Sequence, residues 1–373
     1  MKYDVIIVGG GLAGLTASIC LSKEGLRVLV LEKKTYPHHK VCGEYVSNEV
    51  RPFLEHLGLN LEALGVIPIE NFSISNQKGK TLRTKLPLGG FGVSRYTLDN
   101  ALYHLALNNN VAFKFETAIA IAYQAERFQI KTKDNAYESA VVLGAFGKRS
   151  ILDKELDRPF IRGKSPWLGI KGHYKIEGFA MNNVELHCFK GGYGGLSMTE
   201  TGEVNFCYLT DYRSFQKEKT IDSFNKNVVS QNPNLKGFLE KATPVFETPL
   251  GIAQISFTKK EAVNNHILMC GDTAGLIHPL CGNGMAMAIH AAKIAAERII
   301  QFFSEDEYSR EQMERDYRRI WKYHFGNRLY YGRKIQYLIT NSALMNRTFS
   351  IIPKSELFLS SIIKRTHGKP ILV

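Results

Sequence analysis

The stretch that decides the fold reads Tyr3-Asp4-Val5-Ile6-Ile7-Val8-Gly9-Gly10-Gly11-Leu12-Ala13-Gly14. An apolar run typical of a buried strand leads into a Gly-x-Gly-x-x-Gly turn, and residues 15–24 follow with helical spacing. A second apolar strand, residues 27–31, ends in Glu32. This is a complete strand–helix–strand unit of the dinucleotide-binding kind, so the sequence predicts an α/β fold with a Rossmann-like first domain.

The glycines and the acid of this unit have separate tasks. Gly9 permits the tight turn, Gly11 lets a pyrophosphate approach the backbone, and Gly14 lets the helix and strand pack closely. Ala13 belongs to the first helical turn, whose N–H groups and positive dipole end face the phosphates. Glu32 stands where a carboxylate accepts hydrogen bonds from ribose hydroxyls and would repel the 2′-phosphate of NADP.

The first motif does not distinguish a binding site for FAD from one for NAD. A second motif, Gly271-Asp272-Thr273-Ala274-Gly275, does. Residues 267–270 read as a short apolar strand, and residues 285–300 read as an apolar, alanine-rich helix. Ligands of α/β sheets lie at the carboxyl ends of strands, and a carboxylate there suits the ribityl chain that only FAD has. The alternative is a strand-to-helix loop in which Asp272 caps the helix.

With these motifs the chain resembles the FAD-dependent oxidoreductases that include geranylgeranyl reductases and para-hydroxybenzoate hydroxylase-type monooxygenases. The likeness covers most of residues 3–300. Lys40-Val41-Cys42-Gly43-Glu44 matches a Lys-x-Cys-Gly segment of the reductase branch, and Arg95-Tyr96-Thr97-Leu98-Asp99 matches a segment with a flavin-contacting arginine. The resemblance implies that FAD is bound by Gly9, Gly11, Ala13, Gly14, Glu32, Lys33, Lys40, Arg95, Gly271, Asp272, Pro279, Gly282, Asn283, Gly284 and Met285.

On the substrate side, the resemblance places Cys42, Glu44 and Tyr193 near the flavin. Cys42 is either a participant or a packing thiol. His278, close to the Pro-x-x-Gly-x-Gly loop, is a candidate for proton transfer, although a lone histidine in a loop is usually hydrogen-bonded scaffold. No catalytic residue follows from the sequence.

The chain departs from the family pattern at two places. Phe146 stands where the family usually has an aspartate, so a nicotinamide contact through that position is in doubt. Of the Tyr-x-Trp-x-Phe-Pro substrate motif of the reductase branch, only Tyr193 is present.

The order of the motifs predicts interleaved domains in an α+β whole. Residues 1–155 plus 265–300 should form the FAD-binding domain, and residues 70–90 plus 160–260 should form an antiparallel substrate-binding sheet, because segments such as 204–209 alternate apolar and polar residues. Residues 301–373 should form a helical, basic region.

Cysteine usage and hydropathy indicate a soluble cytoplasmic protein. The first strand begins at residue 3, which leaves no room for a signal peptide. No apolar stretch reaches the ~18 to 20 residues of a membrane-spanning helix. The 6 cysteines form no Cys-x-x-Cys pair, which argues against a zinc site or a disulfide framework, and no metal site is predicted.

The net charge of +13 is large enough that a negatively charged binding partner has to be considered. From residue 331 onward the chain has seven cations and one anion, interleaved with apolar clusters at residues 337–339, 351–352, 357–359 and 362–363. Such a mixture is expected of a segment on an anionic membrane. The favoured alternative is a helical cap on the catalytic domain with a solvated basic face. The sequence contains no nucleic-acid recognition motif, so no nucleic-acid partner is expected.

These features predict an FAD-dependent oxidoreductase that acts on a hydrophobic, lipid-like, isoprenoid or polyketide substrate. The alternative is a monooxygenase that hydroxylates an alkylated aromatic or a quinone precursor. Because there is no second dinucleotide fingerprint, NAD(P)H would bind transiently or a protein carrier would supply electrons. A flavin halogenase is disfavoured, since its tryptophan-rich segment is missing, and a binding protein without turnover is disfavoured because the matched loops extend to the isoalloxazine side.

Overall fold

The computed structural model describes residues 2–351 and 356–372, which fold around two sheets. Ile352 and Lys354, which the sequence analysis counted in the basic tail, lie outside the described residues. The two sheets correspond to the α/β and antiparallel parts that the sequence predicts.

The first sheet has the strand order β16-β17-β9-β1-β2-β6, with β7 and β8 attached beside β9. The strands β17, β9, β1, β2 and β6 run parallel, with β6 at one edge of the sheet. Residues 5–8 and 28–31 are buried, as expected of parallel strands covered on both faces. The strands are β1 (Lys2–Val8), β2 (Val28–Leu31), β6 (Ala112–Lys114), β7 (Ala120–Gln124), β8 (Arg127–Lys131), β9 (Ala136–Gly144), β16 (Val263–Asn264) and β17 (Ile267–Met269).

The second sheet has the order β14-β10-β13-β12-β11-β4-β5-β3, with β15 beside β10. Its pairs are antiparallel except β11 with β4. The strand at 45–47 lies inside the range predicted for the first domain but pairs with this sheet, so the chain crosses between the sheets directly after residues 40–44. The strands are β3 (Tyr45–Ser47), β4 (Ile67–Ser75), β5 (Thr81–Gly92), β10 (Trp167–Lys175), β11 (Asn183–Phe189), β12 (Gly192–Met198), β13 (Val204–Asp211), β14 (Thr243–Pro244) and β15 (Leu250–Ala253).

Helices pack against both sheets. The helix after the glycine turn packs against the alanine-rich helix predicted at 285–300, which runs from 284 to 304. The helices are α1 (Leu12–Lys23), α2 (Arg51–His56), α3 (Arg95–Asn108), α4 (Ile151–Glu155), α5 (Tyr212–Glu218), α6 (Ile221–Asn227), α7 (Pro233–Lys241), α8 (Gly284–Ser304), α9 (Arg310–Thr340), α10 (Ser342–Ile351) and α11 (Glu356–Thr366).

The basic C-terminal region is helical and packs on the second sheet. Ile339, Met345 and Phe349 are buried in one cluster with Ile74 and Leu82 of that sheet. This is the packing that the cap interpretation expects. Among the described residues, no helix has the length and apolar character needed to cross a membrane.

Candidate active site

A cavity of about 780 Å³ runs between the two sheets. We call one part the cofactor half; it is lined by the residues of the two glycine motifs and by charged side chains, among them Gly9, Gly11, Ala13, Glu32, Lys33, Lys40, Arg95, Gly271, Asp272, Pro279, Gly282, Asn283, Gly284 and Met285. The other part, the apolar half, is lined by side chains of the second sheet and of α9, α10 and α11, among them Phe72, Ile74, Leu82, Leu86, Leu186, Leu196, Leu209, Ile252, Ile335, Leu338, Ile339, Met345, Phe349, Leu359, Ile362 and Ile363.

The three fingerprint glycines differ in what surrounds them. A Cβ on Gly14 would lie 2.0 Å from the carbonyl oxygen of Gly9, so helix and strand pack too closely for any side chain. Gly9 has a φ of +107°, and a Cβ there would lie 2.2 Å from the carbonyl oxygen of Ala145. A Cβ on Gly11 would meet nothing nearer than Arg95 Nη2 at 3.7 Å. The space above Gly11 is therefore open to a ligand.

The N-terminus of α1 faces this space. Its N-cap residue is Gly11, which provides no side-chain cap, and its first turn has no acidic residue. Free N–H groups and the positive end of the helix dipole thus point into the cofactor half, as a bound pyrophosphate requires.

Arg95, Lys40 and Asp99 form an ion cluster beside the same helix end. The Asp99 carboxylate accepts bonds from Arg95 Nε and Nη2 at 2.7 Å each and from Lys40 Nζ at 2.8 Å. Burial raises the pKa of Asp99, but the two cations outweigh it and hold that pKa below its usual value. Two cations share one anion here, so a net positive charge remains within 4.0 Å of the position of a Gly11 Cβ.

Glu32 is fixed at the end of β2. Its two carboxylate oxygens accept bonds from the backbone N–H groups of Gly10 at 2.7 Å and Lys34 at 3.2 Å. The side chain is buried and lines the cavity beside Lys33. Its remaining lone pairs are available to a ribose diol.

The loop with Asp272 lies at the carboxyl end of β17. Asp272 lines the cavity, and its Oδ2 lies 3.4 Å from Lys148 Nζ. It does not cap the next helix, because α8 begins at Gly284 with Asn283 as its N-cap. The capping alternative is therefore wrong, and the carboxylate lies at the cavity wall beside Lys148, where its remaining lone pairs are available to a polyhydroxyl chain.

Two buried cations that sequence reasoning missed hold this loop. Arg158 has no exposed surface; it pairs with Asp153 at 3.0 Å and donates to the carbonyl oxygen of Thr273 at 2.9 Å. Lys260 donates to the carbonyl oxygen of Asp272 at 2.8 Å, and burial lowers its pKa to about 8. Neither residue stands in a motif, so only the folded structure shows this role.

The loop at residues 279–285 closes the cofactor half from the other side. Gly282 has a φ of +61°, and a Cβ there would lie 3.0 Å from Tyr45 Cδ1. The N-terminus of α8 also lacks a side-chain cap. A second helix end thus directs free N–H groups toward the cavity.

The predicted substrate-side residues take different positions. Tyr193 is buried, lines the cavity and donates its hydroxyl to Gln336 Oε1 at 3.0 Å. His278 stacks on Phe257 at 4.0 Å and is not among the described residues that line the cavity. Burial, with a smaller effect of Arg333, lowers the pKa of His278 to about 3. His278 is therefore neutral at physiological pH, and its position fits the scaffold role better than proton transfer.

Cys42 and Glu44 lie in one loop at the boundary of the two halves, and both line the cavity. The Glu44 carboxylate is fully buried and bonded to Lys171 Nζ at 2.5 Å and to His173 Nε2 at 2.7 Å. His39, Glu44 and His173 place possible ligand atoms within 4.8 Å of one another. Because the Lys171 ammonium already balances the carboxylate, we interpret the group as an ion-pair network.

Phe146 lines the cavity at the end of β9, at the position of the missing aspartate. The backbone N–H of the next residue, Gly147, donates to Thr273 Oγ1 at 2.8 Å. This contact joins the loop after β9 to the loop after β17, both at the carboxyl edge of the first sheet, and it does not need an aspartate at position 146.

The open glycine at an uncapped helix end, the paired cations, the ribose-side carboxylate and Asp272 together fit FAD. The family model described as FAD binding domain matches residues 2–311, and the chain belongs to this family. FAD as cofactor and the predicted class, an FAD-dependent oxidoreductase, are thereby confirmed.

Two curated relatives cover most of the chain. The conditioned medium factor receptor 1 of Dictyostelium discoideum is 23% identical over 87% of this chain and 68% of its own length. The digeranylgeranylglycerophospholipid reductase of Methanocaldococcus jannaschii is 27% identical over 86% of this chain and 82% of its own.

Solved structures confirm the fold. A flavoprotein/dehydrogenase from Cytophaga hutchinsonii superposes with a TM-score of 0.81 at 15% identity, covering 98% of this chain and 93% of its own. A flavin-dependent brominase superposes with a TM-score of 0.77 at 19% identity, covering 97% of this chain and 93% of its own. A protein of Pseudomonas aeruginosa described as a probable FAD-dependent monooxygenase superposes with a TM-score of 0.73 at 15% identity, covering 94% of this chain and 100% of its own. At such identities the likeness shows the architecture alone.

Proposed function

We propose that this oxidoreductase reduces carbon–carbon double bonds of a lipid-like, isoprenoid or polyketide substrate. The observation that carries the proposal is the apolar half of the cavity, which opens directly into the cofactor half. Its walls are aliphatic and aromatic side chains, which favour a substrate with a long hydrocarbon part. The reductase among the relatives supports the same chemistry.

Bound FAD supplies hydride transfer, while the chain supplies binding, orientation and exclusion of water. Arg95 and Lys40, with the end of α1, would hold the pyrophosphate, and Asp272 would hold the ribityl chain. The helices α9, α10 and α11 form one wall of the apolar half and keep it dry. Cys42 lies where the two halves meet, so its thiol would lie near the reacting carbon atoms.

The test is an anaerobic single-turnover experiment. The purified yellow protein is reduced with dithionite and mixed with unsaturated isoprenoid lipids, and product is analysed by mass spectrometry. We expect flavin reoxidation together with a mass gain of two hydrogen atoms in the lipid. Absence of any saturated product with reduced, folded protein would contradict the proposal.

A monooxygenase that hydroxylates an alkylated aromatic or quinone precursor is the second candidate, because the same fold serves a monooxygenase. In that case oxygen is consumed in proportion to product. A reductase works better without air, so parallel assays with and without oxygen separate the two.

The electron donor is proposed to be a transiently bound NAD(P)H or a protein carrier. Since Phe146 replaces the usual aspartate, NADH or NADPH alone should reduce the flavin slowly until substrate binds or a partner donates electrons. We expect Phe146→Asp to accelerate the anaerobic bleaching of flavin absorbance by NADPH, with dithionite reduction of both proteins as the control. Rapid bleaching of the wild-type protein without substrate would contradict this prediction.

Peripheral binding to an anionic membrane is also proposed as the source of substrate. Lys364 and Arg365 are exposed on α11, whereas the neighbouring Ile363 is buried. Each basic residue near an anionic surface contributes on the order of 1 kcal/mol. Wild-type protein should sediment with anionic vesicles at low salt and remain in solution at high salt, and neutralising Lys364 and Arg365 should weaken sedimentation. If the wild-type protein does not sediment with anionic vesicles at low salt, the proposal of membrane binding is wrong.

A further inference from the structure

The loop at residues 40–44 is held by the inner face of the second sheet. On that face Lys171, Cys207 and Gly195 form one row across β10, β13 and β12, and His173, Asn205 and Ser197 form the next. The polar side chains of these rows reach the loop backbone. Lys171 Nζ donates to the carbonyl oxygen of Lys40 at 3.2 Å, Asn205 Nδ2 to that of Cys42 at 3.2 Å, and Ser197 Oγ to that of Gly43 at 2.9 Å.

Glu44 closes the loop with an enclosed ion cluster. Its backbone has a φ of +53°, a conformation that a non-glycine residue adopts only when its surroundings hold it there. Besides Lys171 and His173, its carboxylate accepts a bond from the backbone N–H of Arg95 at 2.7 Å. His173 Nδ1 lies 3.2 Å from Glu203 Oε2. Both charged side chains of the Glu44–Lys171 pair are fully buried, so water does not compete with the pair.

The opposite end of the loop is anchored to the cofactor half. Lys40 bonds to Asp99, which also holds the flavin-side Arg95. Cys42 therefore lies between two anchors, is partly exposed and lines the cavity. A buried ion pair adds little net stability, but it selects one geometry, since any other arrangement leaves a buried charge unpaired.

We propose that Lys171, His173 and Glu44 are positioning residues that hold the Cys42 thiol at the boundary of the cofactor and apolar halves. They act through the loop and do not themselves touch substrate. The proposal rests on the FAD site and is independent of which substrate is reduced or hydroxylated.

Thiol labelling reports this geometry without any turnover. Burial raises the pKa to about 12 for the other five thiols, which are Cys20, Cys188, Cys207, Cys270 and Cys281. Cys42 should therefore be the first site alkylated by iodoacetamide, followed by peptide mass spectrometry. Bound FAD should slow the labelling of Cys42 in the wild-type protein.

Lys171→Met should accelerate the labelling of Cys42 in FAD-loaded protein by about tenfold or more, the effect of losing one hydrogen bond to a charged group. The matched control is Lys175→Met, an exposed lysine of the same strand. His173→Leu should act like Lys171→Met, and His173→Gln, which keeps a donor, should restore slow labelling. Unchanged labelling in folded Lys171→Met and His173→Leu overturns the proposal.

If Lys171→Met does not fold, the two His173 variants decide. If these fail as well, Glu44→Gln decides, because it keeps the size of the side chain and one acceptor oxygen but removes the charge that pairs with Lys171. It should accelerate labelling of Cys42 to a smaller extent, and wild-type labelling in this variant overturns the proposal. Accelerated labelling of Cys42 in these variants, together with an absence of substrate reduction by the wild-type protein, would count against the proposed function and leave the positioning role standing.

Discussion

In the cofactor half, backbone turns and buried charges hold the walls, whereas in the apolar half the walls are single side chains from many strands and three helices. At Gly9 and Gly14 an added Cβ would lie 2.2 and 2.0 Å from a backbone oxygen, so the backbone there has no room for any side chain. The apolar half contains leucine, isoleucine, phenylalanine and methionine, which exchange for one another at low cost. This architecture therefore keeps the geometry of the cofactor half fixed and leaves the side chains of the apolar half free to vary.

The largest effects are expected from two glycine variants of the cofactor half, one that should prevent folding and one that should prevent FAD binding. Gly14→Val should prevent folding, because its side chain would overlap the Gly9 carbonyl. Gly11→Val should fold and lose FAD, because the valine side chain would fill the space of the pyrophosphate. The loss of two charge-assisted hydrogen bonds to the pyrophosphate would raise the dissociation constant of FAD by about 100-fold or more. Circular dichroism and flavin absorbance measure the two outcomes. A yellow, fully loaded Gly11→Val protein would contradict the assignment of α1.

The next effect concerns the buried charges behind the Asp272 loop. Arg158→Met leaves Asp153 buried without its partner and should lower the free energy of unfolding by about 3–5 kcal/mol. Arg162→Met is the matched control, because its pair with Asp157 has the same sequence separation but is exposed. Denaturant titration measures both. Equal stability of the two variants would show that the buried pair of Arg158 and Asp153 does not stabilise the walls of the cofactor half.

A cavity-wall substitution tests the apolar half. Leu186→Ala should cost about 2 kcal/mol, at the low end for a buried leucine, since one side of the side chain already faces the cavity. FAD affinity should not change, and the binding of a lipid-like substrate should weaken. Leu88→Ala on β5 is the control, because Leu88 is exposed. Reduced flavin content in Leu186→Ala would show that the two halves are coupled.

The smallest expected effect is a pH dependence behind the apolar half. His278 has a folded pKa of about 3, so below pH 6.5 the unfolded chain binds a proton that the folded chain does not. Stability should therefore fall as the pH falls, by up to about 1.4 kcal/mol per pH unit for this residue. His278→Asn should flatten the curve between pH 6.5 and 5. An identical slope in wild type and variant would mean that His278 is not buried as a neutral ring.

The sequence was informative where local geometry sets the residue type. Gly9 and Gly14 could be predicted because a turn and a close helix–strand contact exclude other residues, and Asp272 could be placed because it ends a strand. The family model that matches residues 2–311 confirms the predicted cofactor, FAD. The roles assigned to individual site residues stay predictions.

The network around Glu44 could not be predicted from sequence. Lys171 and His173 lie about 130 residues away from it, in a strand with no motif, and only the register of β10 on β13 brings them to the loop. The apolar half could not be predicted for the same reason, because its side chains come together from strands and helices that are distant in the sequence. His278 was misleading for a related reason: its loop reaches the cavity, but its ring turns to Phe257.

The C-terminal segment is tied to a residue near the start of the chain, and this bears on how the protein folds during synthesis. Glu49 accepts bonds from Arg328 on α9 and from the backbone of Gly368, and its carbonyl oxygen accepts a bond from Ile371 at 2.8 Å. Contacts across more than 300 residues form late, because the entropy of closing so long a loop must first be overcome. A ribosome-bound chain would therefore carry a formed nucleotide-binding unit while the apolar half of the cavity is still open to chaperones.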